Sequence, residues 1–377
     1  MKKSFLLCIF VSLILVSFLL SEVKNPDKPL KGQWDFKLEP VWKTDKAGEQ
    51  LLAKPYHIMA SEDQTIYLYD IKNLKYFIFS KEGKLIKSFG TKGEGPGEIV
   101  LFRDAFLVND KLILVDINEI DYFTKDGTYI KSVKNSWSQR KPDYFFNEDE
   151  FIYYPFSTER DPNIEGKIFR YNFKTKEKIA LAEFPLFEGG YAAGEKEDDG
   201  IAMVLIGLSP MMVVGYDTDR CYFGYNNTFD IHIADYDGKK LGSFSLDREI
   251  RKISNKEKKE WFKKNPPPSP IPDDMLQRIA KSLPNTITYF TRMEVYHKLL
   301  YVFTGYLNRQ PRQQQIDIFS PQGKYLYRAF IRAPEKHNIF SGPIPILTIK
   351  GDHLYIVLED KQGEVWLCKY KITLPTS

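Results

Sequence analysis

Six polar side chains stand at or near the start of short apolar segments that recur along the chain: Tyr56, His57, Arg103, Asp104, Asp143 and Arg292. Two carboxylates, two guanidinium groups, an imidazole and a phenol can bind a polar ligand if the fold gathers them at one place. Scattered, the same side chains serve as ion pairs and turn caps. They are therefore candidate ligand-binding residues at the mouth of a central channel, and no residue is assigned a catalytic role.

Other chemistries find no pattern. The histidines are His57, His232, His297, His337 and His353, and none has a metal-ligand spacing such as His-Glu-x-x-His. They fall in different repeat units, so a metal would need convergence on a common axis. The glycines of Gly93-Glu-Gly-Pro-Gly97 do not make a phosphate loop, because no Gly-Lys-Ser/Thr opens a helix after them and Glu94 and Glu98 repel phosphate. Asp235-Tyr-Asp-Gly238 lacks the remaining ligands of a calcium loop and reads as a hairpin turn. No Gly-x-Ser-x-Gly elbow occurs. No cofactor and no metal ligand is expected. Cys221 and Cys368 sit in apolar strand patterns far apart in the repeat order and are expected to be buried and unbonded. The loop Asn308–Gln315 offers basic and amide groups as a contact surface.

The elements that must position the six candidates are strands. A nearly continuous apolar run recurs six times: Thr65–Asp70, Lys111–Asp116, Glu150–Pro155, Arg220–Tyr225, Lys298–Phe303 and His353–Leu358. Such runs suit strands covered on both faces. A second strand follows each, and in four copies a turn ending in Gly83, Gly127, Gly238 or Gly323 leads into a third. A weaker apolar strand precedes each unit. Four antiparallel strands repeated six times predict an all-β six-bladed β-propeller with four-stranded antiparallel blades. The last unit lacks one strand, and Phe36–Trp42 is expected to complete it and close the ring, removing an exposed edge.

Aromatics make up 15% of the chain, in keeping with pleated strands. The net charge of +4 is too small to point to nucleic acid, and no nucleic-acid partner is expected. Lys2 and Lys3 precede the apolar run Phe5–Leu20, which reads as an export signal. Ser21 is a cleavage position, but Leu19 fits the small-x-small rule poorly, so residues 1–21 are a signal peptide or an N-terminal anchor. The chain is expected in the periplasm or outside the cell, touching membrane only through that segment if it is uncleaved. Residues 22–33 read as a linker and 34–377 as the propeller. Two insertions interrupt the repeat: Glu188–Ser209, and a helical one at 254–283. In the latter, Ser254 and Glu257 form a capping box, Pro266–Pro270 cannot be helical, and Trp261, Phe262, Met275, Leu276, Ile279 and Leu283 supply apolar edges.

The repeat, together with Ser88–Glu98, resembles the exported bacterial six-bladed β-propeller family, related to the NHL-repeat proteins. Within it, Lys92-Gly-Glu-Gly-Pro-Gly-Glu98 is similar to the family's link from one blade to the next. The resemblance spans roughly residues 34–373 and implies fold and export, with no assigned reaction. The leading expectation is a binding or scaffold module for a protein, peptide or glycan. The alternative is a propeller enzyme of lyase or lactonase type with a metal in the central channel.

Overall fold

The computed structural model describes residues 22–134, 142–154, 166–184, 191–192, 202–203, 210–264, 272–305, 312–340 and 345–376. The expected export segment and the proline run 266–270 lie outside them, as does the first half of Asn308–Gln315. The apolar runs form the second strand of each of six antiparallel sheets; Ile66–Asp70 and Leu299–Thr304 are buried throughout, and the other four are half-buried only at one or both ends. Burial on both faces is what a run without polar alternation demands.

From first strand to outer strand, blade one is Pro55–Ala60, Ile66–Asp70, Lys75–Phe79 and Leu85–Phe89. Blade two is Phe102–Val108, Lys111–Asp116, Glu119–Thr124 and Tyr129–Lys134. Blade three is Pro142–Asn147, Glu150–Tyr153, Lys167–Asn172 and Lys178–Glu183. Blade four is Met212–Tyr216, Arg220–Tyr225, Asp230–Asp235 and Lys240–Asp247. Blade five is Phe290–Tyr296, Leu299–Thr304, Gln313–Phe319 and Tyr325–Arg332. Blade six takes Leu347–Lys350, His353–Asp360 and Val365–Lys371 from the C-terminal end and Glu39–Thr44 from the N-terminal end. First strands of neighbouring blades pack side by side around the axis.

The closing strand starts three residues later than the sequence suggests. Glu39–Thr44 pairs antiparallel with Val365–Lys371, while Phe36 is buried in the core of blades five and six. The segment read as a linker contains strand. Glu22–Pro26 adds in parallel to the outer edge of blade four, and Gln33–Asp35 adds in parallel to that of blade five. Residues 22–44 thus form a strap over three consecutive blades. Asn25 pins it: its amide donates to Ser245 O and Gly323 O, both at 2.9 Å, and its carbonyl accepts from Tyr325 N–H at 2.9 Å.

The turn glycines have two jobs. Gly127 and Gly323 adopt φ of +76° and +85°, which disfavours a side chain. Each also lies against an aromatic ring of the preceding blade. A Cβ at Gly323 would stand 2.4 Å from Phe244, and one at Gly127 would stand 2.7 Å from Phe89. We expect Gly323→Ala to cost about 2 kcal/mol, from left-handed backbone strain and overpacking together, read as a lower urea midpoint at unchanged slope. A shift below a few tenths of a kcal/mol would contradict this account of the blade junction.

The helical insertion is present as α1 (Asn255–Lys264) and α2 (Asp273–Ser282). Its capping box forms as expected. Glu257 N–H donates to Ser254 Oγ at 3.2 Å, and Ser254 N–H donates to Glu257 Oε2 at 2.9 Å. Lys258 is buried and donates to Ala280 O, Leu283 O and Asn285 Oδ1 at 2.7–3.1 Å, tying α1 to the end of α2. Leu283 is buried, whereas the side chains of Trp261, Phe262, Met275, Leu276 and Ile279 lie outside the described residues. Cys221 in blade four and Cys368 in blade six are buried and unbonded.

Candidate functional site

An even number of antiparallel strands per blade places every blade-to-blade link on one face of the ring. Each outer strand ends there and each next first strand begins there. That face therefore carries the six candidate residues, which sit near the starts of first strands, together with the helices α1 and α2. Next to the first strands the links are held by buried side chains at the ends of second strands. Asp70 accepts from the N–H groups of Ala53 and Lys54, Asp116 from those of Val100 and Leu101, and Asn226 from that of Met211.

Four first strands carry a bulge at the same place, between Pro55 and His57, Phe102 and Asp104, Pro142 and Tyr144, and Phe290 and Arg292. A bulge re-aims the side chains beside it. At blades one and two the bulged residues are Tyr56 and Arg103, both exposed, Tyr56 at 47%. Neither makes a side-chain hydrogen bond to a described residue, and Tyr56 rests edge-on against Phe102 with ring centroids 6.0 Å apart.

The other four candidates join blades in pairs. His57 Nε2 lies 3.2 Å from Asp104 Oδ1, linking blades one and two. Tyr216 Oη donates to Asp143 Oδ2 at 2.5 Å, linking blades three and four. Arg292 donates to Leu347 O at 3.0 Å and Pro345 O at 3.4 Å, linking blade five to the first strand of blade six, and its guanidinium lies 4.9 Å from the Phe303 ring centroid. Asp104 and Arg292 face each other electrostatically: the Asp104 charge favours the charged guanidinium, opposing the burial that lowers its pKa to about 10.

Three participants escape sequence reasoning. Glu294 forms an ion pair with Arg292, and burial pushes its carboxyl up to about 8. It is two residues from Arg292 on a strand, hence on the same side, and that period was the available signal. Tyr154 and Tyr216 are held well above the usual phenol range, first by burial and then by the Asp143 charge. Nothing local marks them. The mouth is thus a ring of partnered polar groups with an exposed phenol and an exposed guanidinium beside it.

Among the described residues, no three His, Cys, Asp or Glu side chains stand together as a metal-ligand set. The glycine-rich link binds its own carboxylate: Gly95 N–H donates to Glu98 Oε2 at 2.9 Å. A cavity of about 390 Å³ lies between blades three and four, lined in part by Phe184, Phe223, Tyr225, Asp230 and His232. Burial lowers the pKa of His232.

Residues 47–188 match the model of a family described as a 6-bladed beta-propeller. The chain is a six-bladed β-propeller. The match includes residues 88–98, the stretch on which the resemblance was read. The propeller is similar to a member of the duf4221 family from Bacteroides vulgatus, 11% identical, with a TM-score of 0.56 over 92% of this chain and 100% of that one. It is also similar to a protein from Bacteroides fragilis whose name describes it as exported, 13% identical, with a TM-score of 0.53 over 94% and 100% of the two chains. At such identities the likeness is one of fold. A comparison with curated proteins finds no match. No helix among the described residues is long and apolar enough to cross a membrane.

Proposed function

We infer that this propeller is an exported binding module that holds a peptide or glycan partner at the channel mouth. The observation that carries the reading is the exposed pair Tyr56 and Arg103, set on equivalent bulges of adjacent blades beside the His57–Asp104 bridge. An aromatic face and an adjacent fork of donors, held on rigid strands, suit recognition of a polar ligand. The partnering of the acids and bases at the mouth favours this reading over a metal-dependent lyase or lactonase. Export rests on the apolar N-terminal run and agrees with the name of the Bacteroides fragilis neighbour. The strand Glu22–Pro26 runs toward the mouth face, being parallel to Lys240–Asp247.

Peptide and glycan arrays probed with the purified protein test the reading. We expect a hit whose affinity falls at least tenfold, about 1.4 kcal/mol, in both Tyr56→Ala and Arg103→Ala, with melting temperatures unchanged. Hits that survive both substitutions would remove the mouth as the site. Stoichiometric metal in the protein as purified, lost on mutation of His57 or Asp104, would support the enzyme alternative.

A further inference from the structure

The junction between blades one and two is an internal copy of the junction between blades four and five, with one difference. Phe89 packs on Phe123 with centroids 4.8 Å apart, as Phe244 packs on Phe319 at 4.8 Å. Gly127 lies on Phe89 as Gly323 lies on Phe244. Phe123 pairs with Tyr129 and Asp121 with Ser132, as Phe319 pairs with Tyr325 and Asp317 with Arg328, and both strand pairs carry the same bulge. Asp121 and Asp317 are therefore equivalent, and they are 1% and 0% exposed.

Their partners differ. Asp317 accepts from Arg248 at 2.6 and 3.0 Å and from Tyr325 Oη at 2.5 Å, and Arg328 stands 3.8 Å away. Above them, the strap residue Asp27 binds both arginines. Asp121 has Ser132 where Asp317 has Arg328. Ser132 Oγ donates to Asp121 Oδ1 and meets Tyr129 Oη at 2.8 Å. The second oxygen, Asp121 Oδ2, is buried and accepts no hydrogen bond from a described residue. No strap covers this junction among the described residues. Among the described residues, the outer strand of blade one carries no fifth strand, and Ile86, Tyr129 and Ile130 are exposed beside it.

A buried carboxylate with an open acceptor calls for a cation, and an uncovered strand edge accepts an extended chain. We propose that this junction binds an extended segment of a partner protein carrying a basic side chain. The segment adds to the edge of blade one as Glu22–Pro26 adds to that of blade four, and sets its cation against Asp121, in the place that Arg248, from the link after blade four's own outer strand, takes against Asp317. Arginine fits better than lysine, because a planar fork can engage both carboxylate oxygens. The surroundings agree. Burial first, then the Glu119 and Asp116 charges, together raise the Asp121 carboxyl to about 7 against the Ser132 hydrogen bond. Burial also raises Glu119, which Lys134 partly offsets. Lys131 is taken up by Glu148 and the Tyr122 ring. The site is separate from the channel mouth.

The test uses the full chain and an acetylated, amidated pentapeptide, Thr-Val-Arg-Val-Thr, with citrulline in place of arginine as its uncharged twin. Calorimetric titration should show the arginine peptide binding at least tenfold more tightly than the citrulline peptide. Its affinity should rise as pH passes from 6 to 8, because the carboxyl loses its proton over that interval. Asp121→Asn, isosteric with the protonated acid, should lose the preference for arginine. Ser132→Arg, which rebuilds the blade-five pair in place, should block the peptide and by itself raise the melting temperature. Equal binding of the two peptides, an unchanged preference in Asp121→Asn, or no binding to the wild-type chain at millimolar peptide would each overturn the proposal.

Discussion

Removing residues 22–44 should abolish cooperative folding of the propeller. The strap supplies a fifth strand to blade four and another to blade five, and it supplies the whole outer strand of blade six. It also buries Phe36 and lays Trp42 under the Gly83 turn, where the indole N–H donates to Lys81 O at 2.8 Å. Loss of one large buried aromatic costs about 3–5 kcal/mol, and a domain is stable by only about 5–15 kcal/mol. Several such losses, together with an opened edge on three blades, exceed that margin. Thermal melts followed by circular dichroism should show no sharp transition in the deletion variant. Phe36→Ala gives a graded version, with a loss of about 3 kcal/mol in urea unfolding. A deletion variant that melts like the parent would refute the strap's role.

Asp317→Ala should destabilise the chain by about 3–5 kcal/mol, because it leaves buried arginine charge without its carboxylate. Asp317 is fully buried and holds Arg248, Arg328 and the Tyr325 hydroxyl together, and through Asp27 those arginines also hold the strap. The substitution removes the group on which the strap, blade four and blade five converge. The loss should appear as a lower urea midpoint, with little change when the equivalent Asp121 is replaced by Asn. A loss under 1 kcal/mol for Asp317→Ala would mean that the cluster contributes little beyond packing.

The legible parts of the fold were those with local causes. The second strand of every blade shows in the sequence because both its faces are buried, so its residues are apolar without interruption, as in Leu112–Val115. The turn glycines show because the left-handed backbone excludes other residues. The capping box at Ser254 and Glu257 shows because its partners are three residues apart. The outer strand Lys178–Glu183 was not read. It lies at a sheet edge with mixed exposure, so no face imposes a pattern on it. The strap was read only in part. Glu22-Val-Lys-Asn-Pro26 has no strand alternation of its own, and Asn25 finds its partner Ser245 at a separation of 220 residues.

The site divides along the same line. Tyr56, His57, Arg103, Asp104, Asp143 and Arg292 could be nominated because polar residues at the starts of repeated strands must share one end of a ring. Sequence alone determined that the chain repeats six times, that its N-terminal part closes the last repeat, and that these side chains gather on one face, because strand period and repeat length are short-range properties. Only the tertiary structure decided which of them pair. His57 with Asp104, Asp143 with Tyr216 and Arg292 with Glu294 and Leu347 depend on bulges and on the approach of neighbouring first strands. The same holds for Asp121 and Asp317, alike in local sequence and register. The chain brings arginines to one and a serine to the other, and that difference becomes visible only when the blades are side by side.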